Sequence, residues 1–262
     1  MIHRACVVVA FAVLASARCV AAWQAPPNAE PRAVLSEAKS DAQAGRYEDA
    51  LAKHLWFHNH TLNHQSPLSG VRLSAALTSW YELGKKYPPA MEKLKETRDE
   101  AAARVLQGKG DVRDSFRDMV AINDQLGEET RTVTIFERLD KESPKTAMEE
   151  YDLAQQALLK SKNFALCGKY LQPEKSLSRM LLKYRSGVEI ADKEKDERFR
   201  DYSERSFLDE AANLIALLVL NDRKTDAEKI AKEASSTSKH PAKKAIISSA
   251  LQGKLPEGLI EH

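Results

Sequence analysis

From residue 33 to residue 251, apolar residues recur every three or four positions, which is the spacing of one face of an α-helix. Gly and Pro number only 10 each among 262 residues, so the chain has few breaks between long periodic stretches. No alternating polar and apolar stretch is long enough for a useful β-strand. The sequence therefore predicts an all-α protein, with helices over residues 33–43, 47–62, 71–83, 89–105, 112–126, 130–141, 146–160, 164–171, 174–191, 198–220, 226–234 and 241–251.

The first 22 residues have the pattern of a secretory signal peptide. Residues 6–15 are all apolar, and this stretch is too short to span a bilayer, which takes about 20 residues. Val20 and Ala22 place the cleavage site after Ala22, with a cut after Ala17, an uncleaved anchor or a buried helix as alternatives. We therefore expect an exported protein, periplasmic or secreted, whose signal peptide covers residues 1–22 and is followed by a Pro-rich linker over residues 23–32.

Charge and motif content exclude several function classes. The chain has 40 Lys and Arg against 38 Asp and Glu, and loss of residues 1–22 would leave 38 of each. Such a chain has no net attraction for nucleic acid. It contains no Gly-rich phosphate loop, no Gly-x-Ser-x-Gly and no Cys-x-x-Cys. We therefore expect no catalytic activity and no cofactor, and we expect Cys167, the one cysteine after residue 22, to be a core residue.

Large, small and helix-breaking residues repeat at regular spacing. The positions that show this most clearly are Phe116, Met119, Val120, Gly127, Thr132, Phe136, Leu139 and Pro144. Their spacing resembles the tetratricopeptide-repeat (TPR) superfamily, although Glu37 and Asp41 stand where that family has large apolar residues. Residues 46–99 also resemble uncharacterised exported bacterial TPR-like proteins. The resemblance implies a right-handed superhelix (α-solenoid) of antiparallel helix pairs, with TPR-like repeats over residues 33–173, C-terminal repeats or capping helices over 174–252 and a tail over 253–262.

The same resemblance implies a binding surface, because the first helix of each TPR pair lines a concave groove. By register, the groove residues are Arg117, Asp118, Asp124, Glu149, Asp152 and Gln156. This set leans towards acids and favours a basic or polar peptide, while an ordinary solvated helix face is the alternative. We therefore predict an exported protein–protein interaction or assembly module with a protein or peptide partner.

Two other functions are consistent with the sequence. The apolar run over residues 214–220 would suit self-association of a structural subunit, giving a homo-oligomer. A metal-binding protein or enzyme would use His54, His58, His60 and His64, because each i,i+4 pair lies on one face of a helix. No Asp or Glu lies between Asp49 and Glu82 to supply a third ligand, so we expect packed histidines and no metal.

Overall fold

The computed structural model describes residues 23–64 and 68–256. Within them every regular element is a helix, which confirms the predicted all-α class. The predicted signal peptide and the last six residues of the predicted tail lie outside the described residues. The helices are α1 (Pro31–Gln43), α2 (Tyr47–His64), α3 (Ser69–Arg72), α4 (Ala75–Lys86), α5 (Pro88–Gln107), α6 (Val112–Leu126), α7 (Glu129–Glu142), α8 (Pro144–Lys160), α9 (Phe164–Tyr170), α10 (Pro173–Glu194), α11 (Glu197–Leu220), α12 (Lys224–Thr237) and α13 (Lys243–Ala250).

Helix α6 shows why most helix ends could be read from the sequence. The Asp111 side chain accepts a hydrogen bond from the Asp114 N–H, 2.8 Å away, and so caps the first turn. Gly127 ends the helix with φ of 68° and ψ of 29°, a left-handed conformation that glycine adopts without a steric penalty. The observed bounds equal the predicted ones, residues 112–126.

Many predicted helix ends differ from the observed ones by one to three residues, and two of the differences have an evident local cause. The linker over residues 23–32 ends earlier, because Pro31 is the first residue of α1 and Glu30 caps it by accepting from the Ala33 N–H at 2.8 Å. The single helix predicted over residues 71–83 is two helices, α3 and α4. Ser74 separates them with φ of −129° and ψ of −95°, which is not helical.

The described residues divide into two compact units, an N-terminal and a C-terminal one, with the boundary between Ala90 and Met91. In the N-terminal unit α1 packs against α2, and α2 packs against α3 and α4. Leu35, Phe57 and Ala76 form a buried cluster there. Asp41, which departs from the TPR pattern, is buried beside Lys53, whose Nζ lies 2.5 Å from its Oδ2. Burial alone would raise the pKa of Asp41, but hydrogen bonds from Lys53 and Arg46 hold it below its ordinary value.

Helix α11 is the centre of the C-terminal unit. It packs against α9, α10, α12 and α13. Ile215, Leu217 and Leu218 have no exposed surface, and Leu214 is only 4% exposed. The proposed self-association surface over residues 214–220 is therefore wrong for this run, because most of it is already covered by the chain's own helices.

Close helix contacts in this unit depend on two glycines. A Cβ at Gly168 on α9 would overlap the side-chain amide of Asn221, which follows α11. That amide donates to the Phe164 carbonyl at 3.0 Å and to the Leu217 carbonyl at 2.8 Å, so it ties α9 to the end of α11. A Cβ at Gly187 on α10 would lie 2.5 Å from the Ser203 Oγ on α11.

None of the described helices is long and apolar enough to cross a membrane.

Candidate interaction site

The six predicted groove residues lie on two helices that pack against each other. Arg117, Asp118 and Asp124 are on α6, and Glu149, Asp152 and Gln156 are on α8. The structure brings two of them, Glu149 and Asp152, into one polar depression of about 320 Å³. This depression lies between α6, α8 and the first turns of α10, all within the C-terminal unit.

A bidentate ion pair forms one side of the polar depression. The Arg113 guanidinium on α6 donates to both Asp152 carboxylate oxygens on α8, at 3.0 and 2.7 Å. The same guanidinium donates to the Glu149 carbonyl at 2.8 Å and to Glu150 Oε2 at 3.2 Å. Fork-shaped pairing of this kind fixes the orientation of both groups. Arg113 therefore holds the α8 face of the depression in one geometry.

The two acids that Arg113 contacts have opposite pKa shifts. Burial would raise the pKa of Asp152, but the hydrogen bonds and charge of Arg113 outweigh it and lower the pKa. Burial dominates at Glu150, which is 3% exposed, so its pKa is raised in spite of Arg113. Asp152 is thus the carboxylate that stays ionised over the wider pH range.

Side chains of both charges line the polar depression. Its lining includes Arg113, Lys175 and Arg179 against the exposed acids Glu149 and Asp152. Lys175 and Arg179 are both exposed and lie one turn apart on α10, and Arg179 Nη1 is 3.7 Å from Asp152 Oδ2. The charged side chains that line it are therefore three cations and two acids, so the depression leans basic, whereas the six predicted groove residues lean towards acids.

Three of its cations were missed by the sequence analysis, each for an identifiable reason. Arg113 lies one helical turn before Arg117 and so shares its face, a spacing that could have found it. Lys175 and Arg179 follow Pro173 and belong to the predicted C-terminal helices. The groove positions were predicted only for the repeats before Pro173. Only the fold of the C-terminal unit brings the start of α10 to the same depression as residues of α6 and α8.

The other predicted groove residues lie outside the depression. Asp118 is 5% exposed and presents no carboxylate to a ligand, because it is buried within the chain. Arg117 pairs with Asp114 at 2.8 Å on its own helix. The pKa of Asp124 is raised, first by burial and then by Glu129, with Lys160 opposing the shift. Gln156 is exposed on α8.

The histidine window separates into two faces, as the i,i+4 spacing predicts. The rings of His54 and His58 both contact Trp80, with centroids 6.1 and 5.9 Å away, and both residues are buried. His60 instead stacks on Trp56 at 5.1 Å and contacts its carbonyl through Nδ1 at 2.8 Å. The side chain of His64 lies outside the described part of the chain. Among the residues described, no group of three or more His, Cys, Asp or Glu is placed to hold a metal ion.

His54, His58 and Cys167 have environments that fit packing. His54 is 2% exposed and its Nε2 has no hydrogen-bond partner. His58 Nε2 lies 3.2 Å from Arg72 Nη2, and Arg72 also donates to the His58 carbonyl at 2.6 Å. Cys167 is fully buried, and burial raises its pKa to about 11, so at neutral pH it is a thiol and not the reactive thiolate.

Comparison with known proteins does not extend this description. No protein-family model, curated protein or solved structure matches the chain. The observations that bear on function are therefore the helical fold, the polar depression on α6, α8 and α10, and the packed histidines of the N-terminal unit.

Proposed function

We propose that the chain is an exported TPR-like interaction module that acts in the periplasm or outside the cell and performs no chemistry of its own. The packing of the C-terminal unit supports an α-solenoid of antiparallel helix pairs. Helix α6 contacts α7 and α8, α8 contacts α9, and α11 contacts the two helices on each side of it in the sequence. Stacked helix pairs produce contacts of this kind, between near neighbours in the chain.

The polar depression is the observation that carries the proposed binding role. Arg113 and Asp152 already hold each other, so the site needs little ordering when a ligand arrives, which favours affinity. Lys175 and Arg179 add two exposed cations at its edge. A polar protein segment that presents a carboxylate to these cations fits the site, because charge-assisted hydrogen bonds would join the two.

The test begins with crosslinking of the tagged protein in the cell and identification of the captured partner by mass spectrometry. The partner is then purified and titrated against the wild type and against a Lys175→Glu/Arg179→Glu variant. The matched control is Lys224→Glu/Lys232→Glu, which makes the same charge change at exposed positions of α12 outside the depression. We expect the site variant to bind at least about tenfold more weakly, a loss of roughly 1.4 kcal/mol, and the control to bind normally. Equal affinities for both variants would contradict this site.

A self-associating subunit is the second candidate, and a different surface supports it. A mostly apolar depression of about 220 Å³ lies between α10 and α11. Ile190 and Tyr202 line it and are 49% and 63% exposed, and Leu182 on α10 is 68% exposed. Exposed apolar residues that line one depression, as Ile190 and Tyr202 do, favour association. Sedimentation across micromolar dilution tests this candidate: a dimer that Ile190→Glu/Tyr202→Glu dissociates would support it, and a monomer at all concentrations would refute it.

A further inference from the structure

Trp23 anchors the segment before α1 to the surface of α2. Its backbone N–H donates to Asp49 Oδ1 at 3.0 Å, across 26 positions of the sequence. Its indole ring meets the Trp56 ring edge-on, with centroids 6.3 Å apart. Lys53 Nζ lies over the Trp23 ring, 5.4 Å from its centroid. Both the backbone and the side chain of Trp23 are therefore engaged with one face of a single helix.

We propose that Trp23 is the N-terminus of the processed protein, and that its new α-ammonium group forms an ion pair with Asp49. A processing peptidase would hydrolyse the Ala22–Trp23 peptide bond with one water molecule, giving a carboxylate on Ala22 and an amino group on Trp23. That amino group takes a proton at neutral pH and becomes an ammonium. The inference rests on the proposed export of the chain.

The Trp23 nitrogen and the Asp49 carboxylate are already in contact while this nitrogen is a neutral amide. The Trp23 amide is a neutral, single donor, whereas an ammonium on the same nitrogen would carry a full charge and three donors. The nitrogen already lies at hydrogen-bond distance from the Asp49 carboxylate, so no rearrangement is needed. Hydrogen bonds between charged partners are stronger than neutral ones. Cleavage thus strengthens an existing contact and holds the N-terminal segment on α2.

Lys53, the cation over the Trp23 ring, is held by acids other than Asp49. Lys53 Nζ lies 2.5 Å from Asp41 Oδ2 and 3.1 Å from Glu37 Oε2, both on α1. Its charge is therefore already met by acids from another helix. Asp49 and Trp23 are both half-buried, which reduces the competition of water for their contact.

The position of Trp23 also distinguishes between the two cleavage sites. A cut after Ala17 would leave residues 18–22 ahead of Trp23, so the Trp23 nitrogen would remain a neutral amide. Only the cut after Ala22 places the new charge beside Asp49. Cleavage after Ala22 would therefore form the ion pair with Asp49, and cleavage after Ala17 would not.

The experiment compares chains that differ only at the N-terminus. Residues 23–262 are released from a fusion by a protease that leaves no extra residue, and half of the sample is N-acetylated under conditions that spare lysine, as checked by mass. Acetylation keeps the Trp23 N–H but removes its charge. Urea unfolding is followed by tryptophan fluorescence, which reports on the N-terminal unit because Trp23, Trp56 and Trp80 all lie there. We expect the acetylated chain to have an unfolding equilibrium constant about threefold larger.

Two variants show whether Asp49 is responsible. Asp49→Asn keeps an oxygen acceptor but no charge, and we expect it to abolish the difference between the free and acetylated chains. Glu48→Gln, the matched control, removes the neighbouring exposed acid of the same helical turn and should preserve the difference. Equal stability of the free and acetylated wild type, or a difference that persists in Asp49→Asn, would overturn the ion pair.

The start of the protein recovered after export is read by N-terminal sequencing. Trp23 as the first residue supports the inference, and any other first residue overturns it. Neither result depends on partner capture, so failure of this inference is distinguishable from failure of the proposed binding function.

Discussion

Acidification should destabilise the N-terminal unit through its buried His54. This residue is 2% exposed, its Nε2 has no hydrogen-bond partner, and its ring stacks on Trp80. Burial, with a smaller effect of Lys39, lowers its pKa from 6.5 to about 4. The folded protein therefore keeps His54 neutral at pH values where the unfolded chain already binds a proton there.

The sign and size of the effect follow from linkage. The pKa of His54 is lower in the folded state than in the unfolded state, so the unfolded state binds more protons between pH 6.5 and pH 4. The free energy of unfolding therefore decreases as the pH is lowered through that window. At pH 7.5 the effect is nearly absent. At pH 4.5 it amounts to roughly 2–3 kcal/mol, since each unit of pKa difference corresponds to about 1.4 kcal/mol.

The assay is urea unfolding at pH 7.5 and pH 4.5, followed by tryptophan fluorescence. His54→Leu removes the titrating group, and the missing hydrogen bond at Nε2 means that this exchange leaves no partner atom unsatisfied. We expect the variant to lose roughly 2–3 kcal/mol less than the wild type between the two pH values. His60→Leu, at an exposed position of the same helix, is the control and should retain the wild-type pH dependence. If His54→Leu shows it as well, the argument from burial is refuted.

Three further results are expected. Gly168→Ala should destabilise the C-terminal unit by about 2 kcal/mol, because its Cβ would displace the Asn221 amide; urea unfolding followed by circular dichroism measures this, and wild-type stability would contradict it. Lys53→Met should cost on the order of 2 kcal/mol by leaving Asp41 buried with one partner fewer, and a combined Lys53→Met/Asp41→Leu variant should recover most of that loss in thermal unfolding. Cys167 should resist a thiol reagent at pH 8 in the folded protein and react after unfolding in urea, because it is buried and its pKa is raised to about 11; rapid labelling of the native state would contradict this.

Helix positions were predictable because the determining forces are local. The Asp111 cap and the left-handed Gly127 act within a few residues of the helix ends that they define. The break at Ser74 was missed because no Gly or Pro stands there. A serine does not by itself predict the non-helical backbone conformation that this residue has. The all-helical class follows from the periodicity alone.

The polar depression was only partly predictable, because it depends on which helices pack together. Glu149 and Asp152 could be placed on one helix face from their three-residue spacing. The pairing of Asp152 with Arg113 joins residues 39 positions apart, and Lys175 and Arg179 come from a third helix. Periodicity gives the face of each helix but not its neighbour, so the basic lean of the site was not visible in the sequence.

The position of α11 in the chain has a consequence for how the protein is made. Helices α9 and α10 pack against α11, which ends at Leu220. During synthesis from the N-terminus, their apolar faces therefore remain uncovered until this late segment has emerged. Exposed apolar surface of this kind is what chaperones bind and what leads to aggregation. The larger of the two units therefore cannot close before nearly all of the protein has been made.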